Sequence, residues 1–525
     1  MFHAIVFHSV VFRAVVFRGV FFGTRASLAH HSALANHGGV SDHAPTRTRR
    51  PIRFNAFDMN CVAHQSPGLW RHPDDRSWDY HTIDYWVDLA RLLESGGFDG
   101  LFIADVLGTY DVYAGTDEAA IRQGAQIPVN DPLLLVSAMA YATEHLGFGI
   151  TTGTGFEHPY PFARRLSTLD HLTKGRIGWN VVTGYLPSAA RNMGAADQLE
   201  HDSRYDHADE YLTVLYKLWE GSWERDAVRR DRAAGVFADP EKVHHIGHRG
   251  EHFTVPGIHL AEPSPQGSPV IYQAGASPRG RRFAAQNAEA IFVAAPTKAI
   301  LREVVAKTRD ELVAAGRDPY DARIYTLLTI ITDSTPEAAR AKAQEYQRYA
   351  SDEGSLVFMS GWMGIDLASY DLDEPIGNVE SNAIQSAVAA FGQATESGNE
   401  WTVRDIAEWG GIGGMGPVLI GSGDEVAQAL QEWAHDTDVD GFNLAYAITP
   451  GTFDDVITHV IPALERRGVY QRDYTPGTLR HKLFGRGDFL PDSHRGASFR
   501  VGGPASTIDD SIRHTARLVT PGAHR

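Results

Sequence analysis

Residues 174–194 read KGRIGWNVVTGYLPSAARNMG. Ile177, Trp179, Val181 and Val182 are strand formers with almost no polar relief, so the first half reads as a strand buried on both faces. With no spacer the chain then places Asn180, Thr183, Gly184 and Tyr185 together, followed by Arg191, Asn192 and Gly194. A buried strand ending in hydrogen-bonding side chains and glycines is what a parallel barrel presents at its active-site face, the carboxyl ends of its strands.

Working outward, the same grammar repeats. IRFNAFD (52–58), FDGLFIAD (98–105), FGITTG (148–153), PVIYQAG (269–275), AEAIFVA (288–294), RIYTLLTIIT (323–332) and DGFNLAY (440–446) are apolar runs of strand length. Helical spacing separates them, at 79–96, 131–145, 159–173, 203–220, 278–287, 297–315, 336–350, 421–435 and 452–467. Eight strands alternating with helices predict a (β/α)8 TIM barrel with insertions over 51–470; an open doubly wound sheet is the alternative. No GxGxxG follows an early strand, which leaves a dinucleotide-binding half unsupported. The insertions fall at about 224–268 and 352–417. Strand ends again carry polar residues: Asp105, Thr151 and Thr152, Gln273 to Ser277, Asn443 and Tyr446.

The chain has 525 residues, 43% of them hydrophobic and 22% charged, with a net charge of −17. That balance argues against nucleic acid and anionic membranes as partners. One cysteine, Cys61, excludes an internal disulfide and a cysteine-rich metal site, and fits a cytoplasmic setting. Residues 3–22 repeat HAIVF, HSVVF, RAVVF and RGVFF, a period of five that suits neither strand nor helix. Arg13 and Arg18 lie inside it, and each would cost roughly 2.5–3.5 kcal/mol at a bilayer centre. Residues 1–50 read as a disordered or mis-called extension, with a cleaved targeting segment or an anchor as alternatives. Residues 471–525 read as an extended tail.

Several segments carry a resemblance. NAFDMNCVAHQSPGLWRHPDD (55–75), FDGLFIADVLGTYDVY (98–113), FEHPYPFARRLSTLDHLTKGRIGWNVVTGYLPSAARNMG (156–194), HDSRYDHADEYLTVLYKLWEGSW (201–223) and VIYQAGASPRGRRFAA (270–285) resemble the bacterial-luciferase-like flavin monooxygenases. Within these the chain looks like the nitrilotriacetate, EDTA and dibenzothiophene-sulfone group, and most like its long-chain alkane branch. The resemblance implies a dimeric or tetrameric luciferase-like barrel. It implies reduced FMN (FMNH2) from a separate NAD(P)H:flavin reductase, and O2 activated as a flavin C4a-hydroperoxide. The expected reaction is insertion of one oxygen atom into an apolar substrate such as a long-chain alkane. A sulfone or aminopolycarboxylate substrate, a deazaflavin-dependent reductase and a non-catalytic flavin-binding protein are the alternatives.

Individual residues have two readings each. Ala274, Gly275, Ala276 and Ser277 form either an ordinary β–α turn with Ser277 as helix cap or a phosphate-binding turn. His201 and Tyr205, four apart on one helix face, are either a capping histidine with a core tyrosine or a phosphate pair. Asp105 closes an ion pair or touches a cofactor. The resemblance implies flavin contacts for all of these and for Thr152, Gly184 and Tyr185. It also implies a substrate-side set of Cys61, His64, Tyr110 and Gln126. Without it, His64 reads as a loop residue and Cys61 as a small buried apolar one. His64, with an ordinary pKa of about 6.5, would be a proton donor near neutral pH. No metal is expected, because His158 in FEHPY has no second ligand at useful spacing. Tyr185, Ser355 and Phe358 stand where the alkane branch carries histidines.

Overall fold

The computed structural model describes residues 50–275, 277–374 and 402–506. Eight strands close a parallel barrel: β1 (Arg53–Met59), β2 (Gly100–Ala104), β3 (Gly147–Gly153), β4 (Ile177–Val182), β5 (Val270–Gln273), β6 (Ala290–Val293), β7 (Arg323–Asp333) and β8 (Gly441–Ala445). Each pairs with its successor, β6 joining β7 and β7 joining β8. β8 then returns to β1 with Asn55 opposite Asn443, so no edge is left open. The expected closed barrel is therefore the observed one.

Alternation divides each strand between two cores. Phe54 and Ala56 face outward into the large layer between strands and helices. Phe57 joins Phe102, Tyr272, Phe292 and Tyr325 in the barrel interior. Phe102 and Phe292 lie with ring centroids 4.2 Å apart. Gly149 on β3 makes room for this layer, since a Cβ there would lie 2.3 Å from the Tyr272 ring.

The tail expectation does not hold over 471–506. Helix Leu479–Phe484 places Leu479 and Leu483 in the barrel interior cluster. Between them Arg480, fully buried, donates from Nε to Glu289 Oε1 at 2.6 Å and from Nη2 to Oε2 at 2.8 Å. It also donates to the carbonyls of Gln266, Ser268 and Asp488. Six residues are too few to carry a helical period, so the segment reads as loop in sequence.

The second insertion is also more regular than expected. Ser351 caps helix Asp352–Met363, which is apolar on all sides and buried along most of its length. A capping box at Thr402 and Asp405 starts helix Val403–Gly410. Strand Val418–Ser422 pairs parallel with Thr329–Asp333, beyond the barrel wall. The first insertion carries two small hairpins, Val228–Asp231 with Val236–Ala238 and His248–Arg249 with Thr254–Val255. The repeat and the rest of the extension to residue 49, positions 375–401 and the last 19 residues lie outside the described residues. Among the described residues no helix is long and apolar enough to cross a membrane.

Candidate active site

The carboxyl ends of the strands form one mouth, and the loop after β1 folds over it. Cys61 bridges to Val129 and Ala63 to Ala125, which pins that loop to the segment around Gln126. Gln126 sits at φ 52°, a left-handed conformation, and its Nε2 donates to the His64 carbonyl at 2.8 Å. Its Oε1 accepts from Tyr110 at 2.9 Å. The Tyr110 hydroxyl lies 2.5 Å from that of Tyr185 and accepts from Trp362 Nε1 at 3.0 Å. His64, Tyr110, Gln126 and Tyr185 are thus joined in one chain, with Trp362 at its far end.

His64 is fully buried and packs edge-on against Phe57, centroids 4.3 Å apart. Burial lowers its pKa to about 3, against the pull of a hydrogen bond to the Phe57 backbone. The expectation of an imidazole titrating near neutral pH is corrected: the ring is neutral around pH 7, because water cannot solvate its cation. Nδ1 has no protein partner. Burial, and then the nearby Asp58, push the Cys61 thiol well up, so it stays protonated.

Asp105, half-buried at the end of β2, is pushed up to about 7 by burial first and by Asp131 second. Thr152 spends its hydroxyl on the Thr151 carbonyl at 2.8 Å, while its own carbonyl receives the Trp179 indole N–H at 3.0 Å. Asn180 donates to the Thr151 hydroxyl at 3.0 Å.

The second cluster lies past β5. Ser277 caps helix Pro278–Asn287, accepting from the Gly280 N–H at 3.0 Å. Gly275 donates its N–H to Gln273 Oε1 at 2.7 Å, and Gln273 Nε2 reaches the Tyr205 hydroxyl at 3.4 Å. Tyr205 also meets the His201 ring at a tilt of 58°, centroids 5.2 Å apart. A Cβ at Gly275 would lie 2.6 Å from the Tyr205 hydroxyl, and one at Gly280 2.7 Å from it. The turn is a cradle that only glycine backbone can line. Ala274 is exposed beside it; Ala276 lies outside the described residues. Gly184, at φ 76°, accepts from the buried Arg204 guanidinium.

Two further groups escape a sequence reading. Asp58, on β1, is fully buried and raised to about 7 by burial, despite the Met59 N–H at 2.7 Å. Asp75 is raised to about 6 for the same reason; its Oδ1 accepts from the Thr449 N–H at 2.9 Å. A lone aspartate inside an apolar strand is the one signal that could have marked Asp58. Trp362 carries no motif at all.

The sequence model described as Luciferase-like monooxygenase matches residues 56–441. The chain belongs to the luciferase-like monooxygenase family. It is 51% identical over 453 residues to the dimethyl-sulfide monooxygenase of Hyphomicrobium sulfonivorans, covering 86% of this chain and 94% of that one. It is 47% identical over 452 residues to the long-chain alkane monooxygenase of Geobacillus thermodenitrificans, 86% and 98% covered. A crystal structure of riboflavin lyase with modified FMN and riboflavin superposes with a TM-score of 0.81 at 38% identity, over 86% of this chain and 100% of that one.

A luciferase-like monooxygenase needs a place for a flavin, and the residues present fit one. At this helix N-terminus the Gly275–Gly280 cradle offers the Ser277 hydroxyl and the Tyr205 phenol, two groups that can donate to an anionic phosphate. Beside Gly184, Gln198 Nε2 and Arg204 Nε are buried without protein partners.

Proposed function

We propose that this chain is the oxygenase of a two-component FMN-dependent system, working on a small apolar substrate. The observation that carries it is the cradle: Gly275, Ser277 and Gly280 wrapped around the Tyr205 hydroxyl at the end of a barrel strand. In this reading Ala274, Gly275, Ala276, Ser277, Tyr205 and His201 hold the phosphate, and Asp105, Thr152, Gly184 and Tyr185 lie along the rest of the cofactor. A separate NAD(P)H:flavin reductase delivers FMNH2, and a homodimer or homotetramer is the working form.

When bound, the reduced flavin supplies the electrons that split O2, one atom going to the substrate and the other leaving as water. The chain's own task is to bind, orient and keep the site dry. Phe358 and Trp362, stacked with centroids 5.3 Å apart, cover the mouth with Tyr110, Leu186 and Met359 in one apolar cluster. His64 Nδ1, buried and unpartnered on a neutral ring, is the atom left to accept a hydrogen bond from a ligand.

The same cluster supports an apolar substrate, an alkane or an organic sulfide, over an amino-polyacid. The arginines near the mouth are already committed: Arg204 to Gly184, Arg191 to Asp111, and Arg279 to Asp206 and Asp209. The dimethyl-sulfide relative adds weight to the sulfide class. The test is oxygen consumption and product formation with FMN, NADH and a generic flavin reductase, across alkanes, dialkyl sulfides, sulfones and polyacids. Product from the apolar panel is the expected result. Flavin binding without product from any class would leave a flavin-binding protein instead.

A further inference from the structure

The hydrogen-bond chain across the mouth has two ends whose chemistry is fixed. At one end the His64 carbonyl can only accept, so the Gln126 amide must point its N–H there and its Oε1 toward Tyr110. Tyr110 therefore gives its single proton to Gln126. At the other end the Trp362 indole can only donate, and it donates to the Tyr110 oxygen at 3.0 Å. With its proton committed, Tyr110 can meet Tyr185 at 2.5 Å only as acceptor, so Tyr185 donates. The Tyr110 oxygen then has one proton given and two lone pairs filled, with nothing left for a ligand.

Helix Asp352–Met363 holds the Tyr110 ring as well. A Cβ on Gly361 would lie 2.2 Å from Tyr110 Cδ1 and 2.6 Å from Cε1, so that edge of the ring presses on the helix backbone there. Phe358 meets the same ring edge-on with centroids 5.4 Å apart.

We infer that Trp362 is a positioning residue for the reaction: through Tyr110 it fixes the direction of the chain from Tyr185 to His64, so that Tyr185 meets its ligand as a hydrogen-bond acceptor. This rests on the monooxygenase reading for its functional half, and on the hydrogen bonds alone for its structural half. Tyr110 and Gln126 become positioning residues too, and the groups left to touch a ligand are Tyr185 and the His64 ring.

The test is a cycle of Trp362→Phe, Tyr110→Phe and the double variant in the full chain. Phenylalanine at 362 keeps a ring against Phe358 and removes the N–H together with part of the buried indole, a packing loss common to both backgrounds. Melting temperatures, taken without flavin, read the structural half. Trp362→Phe should lower the melting temperature by roughly 2 °C in the wild-type background. The loss should be smaller in the Tyr110→Phe background, where the indole N–H no longer has the Tyr110 oxygen as its acceptor. An equal loss in both backgrounds makes Trp362 a packing residue and overturns the inference. The product-to-peroxide ratio, with dimethyl sulfide and the best-turned-over alkane as probes, reads the functional half. Trp362→Phe should lower it about tenfold, with no further loss when added to Tyr110→Phe. An unchanged ratio in Trp362→Phe overturns the positioning role. Absence of flavin-dependent oxygen use by the wild type would overturn the monooxygenase reading instead, and the melting cycle would still decide the hydrogen-bond chain.

Discussion

Gly280 and Tyr205 are matched across the cradle: the place where a Cβ would sit on Gly280 is 2.7 Å from the Tyr205 hydroxyl, inside contact distance for any side chain. The helix that follows β5 can approach that phenol only as bare backbone. Gly280→Ala should push Tyr205 aside and weaken FMNH2 binding. Ser277→Ala with Tyr205→Phe should do so by losing two donors, each contributing about 1.5–3 kcal/mol to a charged acceptor. Anaerobic titration should show affinity falling about tenfold or more for each lost bond, with circular dichroism unchanged. Wild-type affinity in both variants would move the phosphate elsewhere.

His64 tests how the site handles oxygen. Its ring is neutral, so the wild-type product-to-peroxide ratio should show no imidazole inflection between pH 5 and 8. His64→Phe keeps the packing on Phe57 and loses Nδ1. The variant should bind FMNH2 like the wild type, still consume oxygen, and form product about 10²-fold less often, releasing hydrogen peroxide. An unchanged ratio would assign the ring to packing alone.

Asp58 makes stability depend on pH. Its folded pKa is raised from 3.8 to about 7, so the folded state holds this proton more tightly than the unfolded chain. Stability therefore falls as pH climbs from about 4 to about 7 and stays at the lower level above that. Asp58→Asn removes the titration. Relative to wild type it should gain on the order of 3 kcal/mol between pH 5 and pH 8, read as a rise of several degrees in the melting-temperature difference. A difference that does not change with pH would mean that Asp58 ionises normally in the fold.

The Arg480–Glu289 pair closes the other end of the barrel. Arg480→Met strands a buried carboxylate and should cost about 3–5 kcal/mol in denaturant unfolding. Arg480→Met with Glu289→Leu removes both charges and should recover much of that loss. Equal destabilisation by the single and double variants would show that the arginine's bonds to the Gln266, Ser268 and Asp488 carbonyls outweigh the ion pair.

The barrel was legible because its strands are apolar runs bounded by glycine and polar residues. β1, β3, β7 and β8 fall within a residue or two of where the sequence places them. The Ser277 cap and the Gly275 turn were legible for the same local reason. What could not be read is long-range. Trp362 meets Tyr110 across 252 positions, and Arg480 meets Glu289 across 191. No period or motif links such pairs. Helix Asp352–Met363 hid because an all-apolar helix has no polar face to reveal its turn. The His64 titration misled because an isolated side chain's pKa says nothing of the Phe57 ring and the dry loop that surround it.

Leu479 and Leu483 fill the barrel interior from a segment made after every strand. A nascent chain that has already released β8 from the ribosome still carries a barrel with one open end, its aromatic layer exposed to water. Residues 446–478, 33 positions of further translation, separate that strand from the helix that seals it. Sealing of that end therefore waits until Leu479 and Leu483 have been made, and a chaperone that binds exposed apolar surface has that interval in which to act.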